Sequence, residues 1–488
     1  MTAVFLVIAS YFLMEVPTRL NKPEITPDKI ENQKIIIERI RNDNEKAGTP
    51  PLAYIDTYGC QQNEADSEKL RGMLRGMGYG FTASEQQADV IVINTCAVRE
   101  HAEMRVYGNV GALVHSKRNK PDQIIVLCGC MMQQPKAAEK IRRSYRHVDI
   151  VFGPQVLWRF PEFLAHALKE RARIFSIDDE PGAIAEGLPV VRDGKIKAWL
   201  SIMYGCNNYC SYCIVPYVRG RERSRRPEMI LNEAHQLVAE GYKDITLLGQ
   251  NVNSYGNDLE MEIDFSELLH RINDIDGDFL IRFMTSHPKD AGERLFKTMS
   301  ECRKVARHLH LPFQAGSDRV LRAMNRGYTK SQYLELVDMA RQYMSDIVLT
   351  SDIIVGFPGE TEAEFNGTLD ILEKARFDAL FTFIYSKREG TPAASLPDPV
   401  PKSEKQRRFE SLLKLQNAIS EEKHLAYVGK TMRVLVDGAA GDAQYPLTAR
   451  TNGGRLVHLS GNEDKIGSFA TVKITGSNTW ALFGELLE

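Results

Sequence analysis

Gly205-Cys206-Asn207-Asn208-Tyr209-Cys210-Ser211-Tyr212-Cys213 sets three cysteines in a Cys-x3-Cys-x2-Cys run and stops at three. A closed structural zinc site or a simple ferredoxin cluster takes four protein ligands. Three thiolates on one short loop hold three corners of a [4Fe–4S] cube and leave the fourth iron open to a small molecule. The competing reading is a zinc loop completed by a distant His or Cys.

A strand over 198–203 leads straight into this loop, and similar apolar runs recur at 245–248, 280–284, 309–313, 348–355 and 380–384. Helical stretches such as 229–240, 265–275 and 365–374 separate them. Six strand–helix units predict a partial (β/α)6 barrel over 192–426, with its chemistry at the carboxyl ends of the strands. At those ends stand the cysteine loop, Gln250-Asn251, Thr285-Ser286-His287, Gln314-Ala315-Gly316-Ser317 and Gly356-Phe357-Pro358-Gly359-Glu360. Amides and hydroxyls there suit a polar ligand, and turn or capping roles compete for each.

Upstream, residues 51–175 read as a second α/β unit. Short apolar runs at 52–57, 90–93, 124–127 and 150–152 alternate with helical patterns, the first carrying Leu70, Met73, Leu74 and Met77 on one face. That alternation predicts a doubly wound parallel sheet, in which ligands gather beyond the carboxyl ends of the strands. Cys60, Cys96 and Cys130 each follow one of these strands, so the topology predicts a second set of three thiols. The bland alternative is that cysteines are common small core residues. Cys128 lies on a strand and is expected to be a buried thiol; Cys302, with no partner nearby in sequence, is expected to be structural.

Downstream, a helix over 403–426, with Leu412, Leu413, Leu415 and Ile419 facing inward, leads to a change of pattern. Short alternating strands at 432–436, 447–450, 456–459 and 470–474 predict a small β-barrel of OB type over 427–488. Eight cysteines in 488 residues are too sparse for a disulfide framework. The formal net charge of −2 does not point to nucleic acid, so any such partner rests on local features. Arg219, Arg221, Arg223, Arg225 and Arg226 supply one, a basic loop that is either a solvated face or a contact for phosphates. Residues 1–50 read as a flexible leader, with translation expected to start at Met14. The apolar run 3–14 lacks signal-peptide flanks and the length of a span, so no membrane association is expected.

The cysteine run resembles the signature of the radical S-adenosylmethionine (SAM) superfamily, and from about Leu52 onward the chain resembles its methylthiotransferases. Tyr58-Gly59-Cys60-Gln61-Gln62-Asn63-Glu64 looks like their first motif, departing at Gln62, where Met is usual. Asn94-Thr95-Cys96-Ala97-Val98-Arg99-Glu100 is similar to their second. Residues 443–461 resemble the TRAM signature, with Ala449-Arg450-Thr451 where Gly-Arg-Thr is usual. Glu222 favours the branch acting on isopentenyl-adenosine in tRNA, and Asn207 counts against the ribosomal-protein branch, where Asp is usual. The alternative branches act on threonylcarbamoyl-adenosine or on a ribosomal protein.

The resemblance implies two [4Fe–4S] clusters, one on Cys206, Cys210 and Cys213 and an auxiliary one on Cys60, Cys96 and Cys130. It implies SAM, gripped by residues drawn from Tyr212, Gln250, Asn251, Ser286, Gln314 and Ser317, and tRNA met by Arg219, Arg221, Glu222, Arg223 and Arg225. An electron donor such as flavodoxin or ferredoxin and a reducing, cytoplasmic setting follow. A rival from another class is a non-catalytic iron–sulfur protein fused to an RNA-binding barrel; sets of three cysteines rather than four favour catalysis.

Overall fold

The structure is a computed structural model that describes residues 25–97, 100–177 and 183–487. Its first unit is a six-stranded parallel sheet: β1 (Leu52–Thr57), β2 (Gly80–Phe81), β3 (Val90–Thr95), β4 (Ile124–Gly129), β5 (Ile150–Phe152) and β6 (Ile174–Ser176). The strands lie in the order β2-β1-β3-β4-β5-β6. Every residue of β3 and β4 is buried, as expected for strands covered on both faces. Val90 and Val92 join one core with Leu70 and Phe160, while Ile91 and Ile93 join the opposite one with Val106 and Ile141. The sheet is doubly wound.

The expectation of a flexible leader fails over Pro27–Lys46, which is a helix. Ile30, Gln33, Ile37 and Ile40 recur every three or four residues and are buried. That stripe packs on the helices Phe160–Glu170 and Gln61–Gly76, and Asn44 Nδ2 donates to the Met77 carbonyl at 2.8 Å. A polar average hid the narrow apolar face. The apolar run 3–14 and Met14 lie outside the described residues, as do Val98 and Arg99.

The middle unit runs from β7 (Lys197–Ser201) through β8 (Met203–Tyr204), β9 (Arg223–Ser224), β10 (Asp244–Leu248), β11 (Leu280–Phe283), β12 (His308–His310), β13 (Val348–Val355) and β14 (Ala379–Ile384). The parallel sheets β11-β10-β7 and β12-β13-β14 are joined by a bridge between Ile281 and Val305, so six strands curve in chain order into an open barrel. β12 is shorter than its apolar run because Pro312 has no N–H to continue the ladder. The antiparallel pair β8–β9 brackets the cysteine loop.

After the helix Lys402–Leu425, β15 (Thr431–Ala439), β16 (Leu447–Thr451), β17 (Leu456–Ser460), β18 (Phe469–Ser477) and β19 (Leu482–Leu486) form a closed barrel in the order β15-β16-β17-β19-β18. The fifth strand was not legible, because Gly484 and Glu485 interrupt its apolar pattern. This barrel seats on the amino-terminal end of the larger one. Arg282 Nη1 donates to the Asn452 carbonyl at 2.7 Å, the Arg307 amide donates to Asn452 Oδ1 at 2.9 Å, and Arg455 pairs with buried Asp378. The cysteine loop lies at the opposite, carboxyl end of the strands.

Candidate active site

The loop between β8 and β9 owes its shape to its own backbone. Gly205 has φ +77°, and a Cβ there would lie 1.9 Å from the Arg221 carbonyl oxygen. Its amide donates to Gln250 Oε1 at 2.5 Å, so Gln250 holds the loop from the next strand end. The Asn207 amide donates to Glu222 Oε1 at 3.1 Å and the Glu222 amide to Asn207 Oδ1 at 3.2 Å. The Cys213 amide donates to the Cys210 carbonyl at 2.9 Å, a turn that brings the last two cysteines round together. Arg326 is buried behind them, donating from Nη1 to Cys210 Sγ at 3.3 Å and from Nη2 to the Pro312 carbonyl at 2.8 Å.

Burial pushes the Cys206 and Cys213 thiols up to about 12. Such groups ionise only when a cation shares the site. Among the described residues no three His, Cys, Asp or Glu side chains converge on a point that would hold one ion. A closed zinc site needs a fourth protein ligand, and three thiolates are the set that an open-cornered cube takes.

Around the loop, buried polar atoms are left without a hydrogen-bond partner: Asn251 Oδ1, Ser286 Oγ and His287 Nε2. Asn251 is oriented by its Nδ2, which donates to Asp290 at 2.7 Å. His287 accepts the Lys289 amide on Nδ1, and burial, helped by Arg326 and Lys289, pushes its pKa down to about 2, so the ring is neutral. Native folds rarely leave such atoms unpaired away from a ligand. Not every expected strand-tip residue is available. Ser317 accepts the Val320 amide as a helix N-cap and donates to Glu364 Oε1 at 3.0 Å, so its hydroxyl is spent on structure. Gln314 adopts φ +68° and its backbone bonds to Asp352 and Ile354 of β13. Tyr212 packs against the barrel core.

The second set assembles at the switch in strand order. The chain leaves β1 for β2 on one side and returns to β3 on the other, which opens a crevice at the β1/β3 boundary. Cys60 follows β1, Cys96 follows β3 and Cys130 follows β4, three neighbouring strands. Asn63 Nδ2 donates to Asn94 Oδ1 and to the Thr95 carbonyl, both at 3.1 Å, and Asn94 Nδ2 returns a bond to the Asn63 carbonyl at 2.9 Å. Gly129 has φ +96° and a Cβ there would lie 2.3 Å from the Thr95 carbonyl oxygen. Burial pushes the Cys130 thiol up to about 12, against the opposing pull of Arg219.

The arginine loop divides. Arg219 donates from Nε to Cys130 Sγ at 3.1 Å and from Nη2 to Asp66 Oδ2 at 2.9 Å, buried within the protein, so it is no phosphate contact. Arg225 is also buried, bound to Glu186, Glu233 and the Ser201 carbonyl. The expectation that both meet substrate fails, because Cys130 and Asp66 hold buried Arg219 while Glu186 and Glu233 hold buried Arg225. Arg223 is half-buried and donates to the Arg219 carbonyl at 3.1 Å. Glu222 is engaged with Asn207, and Arg221 and Arg226 remain exposed.

Gln62, the departure from the usual motif, is buried and donates to Ser201 Oγ at 3.0 Å across the two units. Cys128 is fully buried on β4 as expected, whereas Cys302 does have a partner: its Sγ lies 3.3 Å from His270 Nδ1. Arg326, Asp66 and the Asn63–Asn94 pair join the two sites only through tertiary contacts. A weak signal existed in Asn325-Arg326-Gly327, where a lone cation sits between two residues of positive φ.

The chain matches the Radical SAM superfamily over residues 200–372, Uncharacterized protein family UPF0004 over 52–153 and the TRAM domain over 425–487. The structure of a radical S-adenosylmethionine methyltransferase from Kitasatospora setae superposes with a TM-score of 0.51 at 13% identity, over 71% of this chain and 74% of that one. Fold and site therefore define a radical SAM enzyme, a class that works with SAM and a [4Fe–4S] cluster. Proteins named tRNA-2-methylthio-N(6)-dimethylallyladenosine synthase are similar along nearly the whole length. The one from Thermoanaerobacter sp. (strain X514) is 50% identical over 95% of this chain and 98% of its own, and that from Clostridioides difficile (strain 630) is 47% identical over 94% and 97%. The chain belongs to the tRNA-2-methylthio-N(6)-dimethylallyladenosine synthase family. Among the described residues no helix is long and apolar enough to cross a membrane.

Proposed function

We propose that this chain is a tRNA methylthiotransferase that places a methylthio group on C2 of N6-(dimethylallyl)adenosine beside the anticodon, using two [4Fe–4S] clusters in a cytoplasmic setting. The observation that carries the two-cluster reading is the pair of cysteine triads, each one ligand short of a closed site, joined through Arg219. Cys206, Cys210 and Cys213 hold one cluster, and Cys60, Cys96 and Cys130 hold the other. When bound, the first cluster and SAM supply radical chemistry and the second supplies sulfur.

The chain's own residues orient and enclose. Gln250 holds the first loop through Gly205, and Arg326 donates to the Cys210 sulfur. Asn251 Oδ1, Ser286 Oγ and the neutral His287 ring, left without protein partners, would hold the polar groups of SAM. Arg221 and Arg226, exposed beside the loop, meet the tRNA backbone. The anticodon loop offers an unpaired base, so presenting its C2 edge costs little. The electron comes from a protein donor such as flavodoxin or ferredoxin.

The test is anaerobic turnover on prenylated, unprenylated and threonylcarbamoylated tRNA side by side, read by mass spectrometry of the nucleosides. Only the prenylated tRNA should gain the 2-methylthio group. Preference for threonylcarbamoylated tRNA would overturn the substrate, and formation of no 5′-deoxyadenosine with any of them would overturn the enzyme.

A further inference from the structure

Arg219 is only 5% exposed. It ends the short helix Val215–Arg219, a few residues beyond Cys213, and so belongs to the loop that carries the first triad. Its guanidinium crosses to the other unit, where Nε meets Cys130 Sγ at 3.1 Å and Nη2 meets Asp66 Oδ2 at 2.9 Å. Around it Ala97, Cys130, Ile214 and Val218 form a small apolar cluster that closes the junction. Burial of the cation is unfavourable by itself, but the neighbouring Cys130 sulfur and Asp66 carboxylate stabilise the charged form. Asp66 can balance only one side of the fork; the other donor is spent on sulfur.

Hydrogen bonds to a ligand sulfur and nearby positive charge both raise the reduction potential of an iron–sulfur cluster. We propose that Arg219 is the positioning residue of the auxiliary site, a charged strap from the radical SAM unit that sets the potential of the cluster on Cys60, Cys96 and Cys130. The inference rests on the two-cluster reading above. Because the strap grows from the first triad's loop, it also fixes where the auxiliary site stands relative to the first, and Asp66 holds its fork in register.

The full chain carrying C206A, C210A and C213A, reconstituted with iron and sulfide, isolates the auxiliary cluster. Its midpoint potential is read by an EPR-monitored titration with iron quantified in parallel. In that background Arg219→Met should make reduction at least tenfold less favourable, about 59 mV for one electron. Asp66→Asn, which removes a negative charge, should shift the potential the other way. Arg219→Lys keeps the charge and one donor and should recover more than half of the loss. A role in packing alone would alter iron content without shifts of opposite sign. Unchanged potentials in Arg219→Met and Asp66→Asn, or shifts in the same direction, overturn the proposal. If Arg219→Met binds no iron, Asp66→Asn decides, and an unchanged or lowered potential overturns it. A parent protein that holds no cluster overturns the cysteine assignment itself, and the inference with it.

Discussion

The two cysteine triads reach the same count of thiols by opposite routes. Cys206, Cys210 and Cys213 share one loop, and hydrogen bonds within and beside that loop set their arrangement. Cys60, Cys96 and Cys130 come from the ends of three parallel strands, so their arrangement is a property of the sheet's register. A local site needs only its own turn to form. A distributed site inherits every error in strand pairing, and the structure spends buried amides and a glycine on preventing such errors.

Removing each triad should give the sharpest contrast. The reconstituted protein should hold about eight irons, four per cluster. Replacing Cys206, Cys210 and Cys213 by Ala should abolish SAM cleavage and leave about half of the iron. Replacing Cys60, Cys96 and Cys130 should abolish methylthiolation while 5′-deoxyadenosine is still formed. Joint loss of all iron in either variant would erase the distinction between the two sites.

Glycine substitutions should break each site without touching a cysteine. Gly129 lies at φ 96° and ψ −171°, a region essentially confined to glycine, with backbone atoms of Thr95 where a Cβ would go. Gly129→Ala should therefore shift β4 against β3 and cost most of the auxiliary iron, with SAM cleavage retained. Gly205→Ala meets the Arg221 carbonyl and should do the reverse. Iron analysis and deoxyadenosine assays on the two variants separate the sites, and equal losses in both would mean that the units fold as one.

Legibility followed the same division. The local triad could be read from spacing alone. The distributed one needed the strands to be placed first, which Val90, Ile91, Val92 and Ile93 allow because an unbroken buried run marks a covered parallel strand. What escaped was whatever depends on tertiary contact. The helix Pro27–Lys46 buries only a narrow isoleucine stripe under a polar average. The arginine loop looks uniformly basic, yet Asp66 and Glu186 arrive from distant segments, and Glu233 from the following helix, to pair with the buried Arg219 and Arg225. No spacing rule carries that information.

A smaller effect should come from the amide wedge. Asn94 donates to the Asn63 carbonyl and to Ser67 Oγ, and Asn63 donates back. Asn94→Ala leaves buried polar groups unpaired, which costs about 1–3 kcal/mol. Stability to denaturant should fall by that amount, and auxiliary iron should be lost on mild chelation before the iron of the local site. Chelation in the opposite order would show that register does not limit the distributed site.

The smallest effect separates the arginines that the sequence groups together. Arg221 is exposed beside the local triad, whereas Arg225 is buried against Glu186 and Glu233. If Arg221 neutralises one phosphate of the tRNA, Arg221→Ala should weaken binding a few-fold and flatten the dependence of log Kd on log salt by about 0.7 to 0.9. Cluster content and melting temperature should stay at parental values, because the side chain supports no buried group. Arg225→Ala should do the converse: a lower melting temperature with an unchanged salt slope, since the lost guanidinium leaves Glu186 without its cation, Glu233 keeping Arg192, and is buried away from the surface. Binding titrations over a series of salt concentrations decide between them. An unchanged slope in Arg221→Ala would move the phosphate contact elsewhere on the surface and leave the exposed half of this loop as a solvated edge.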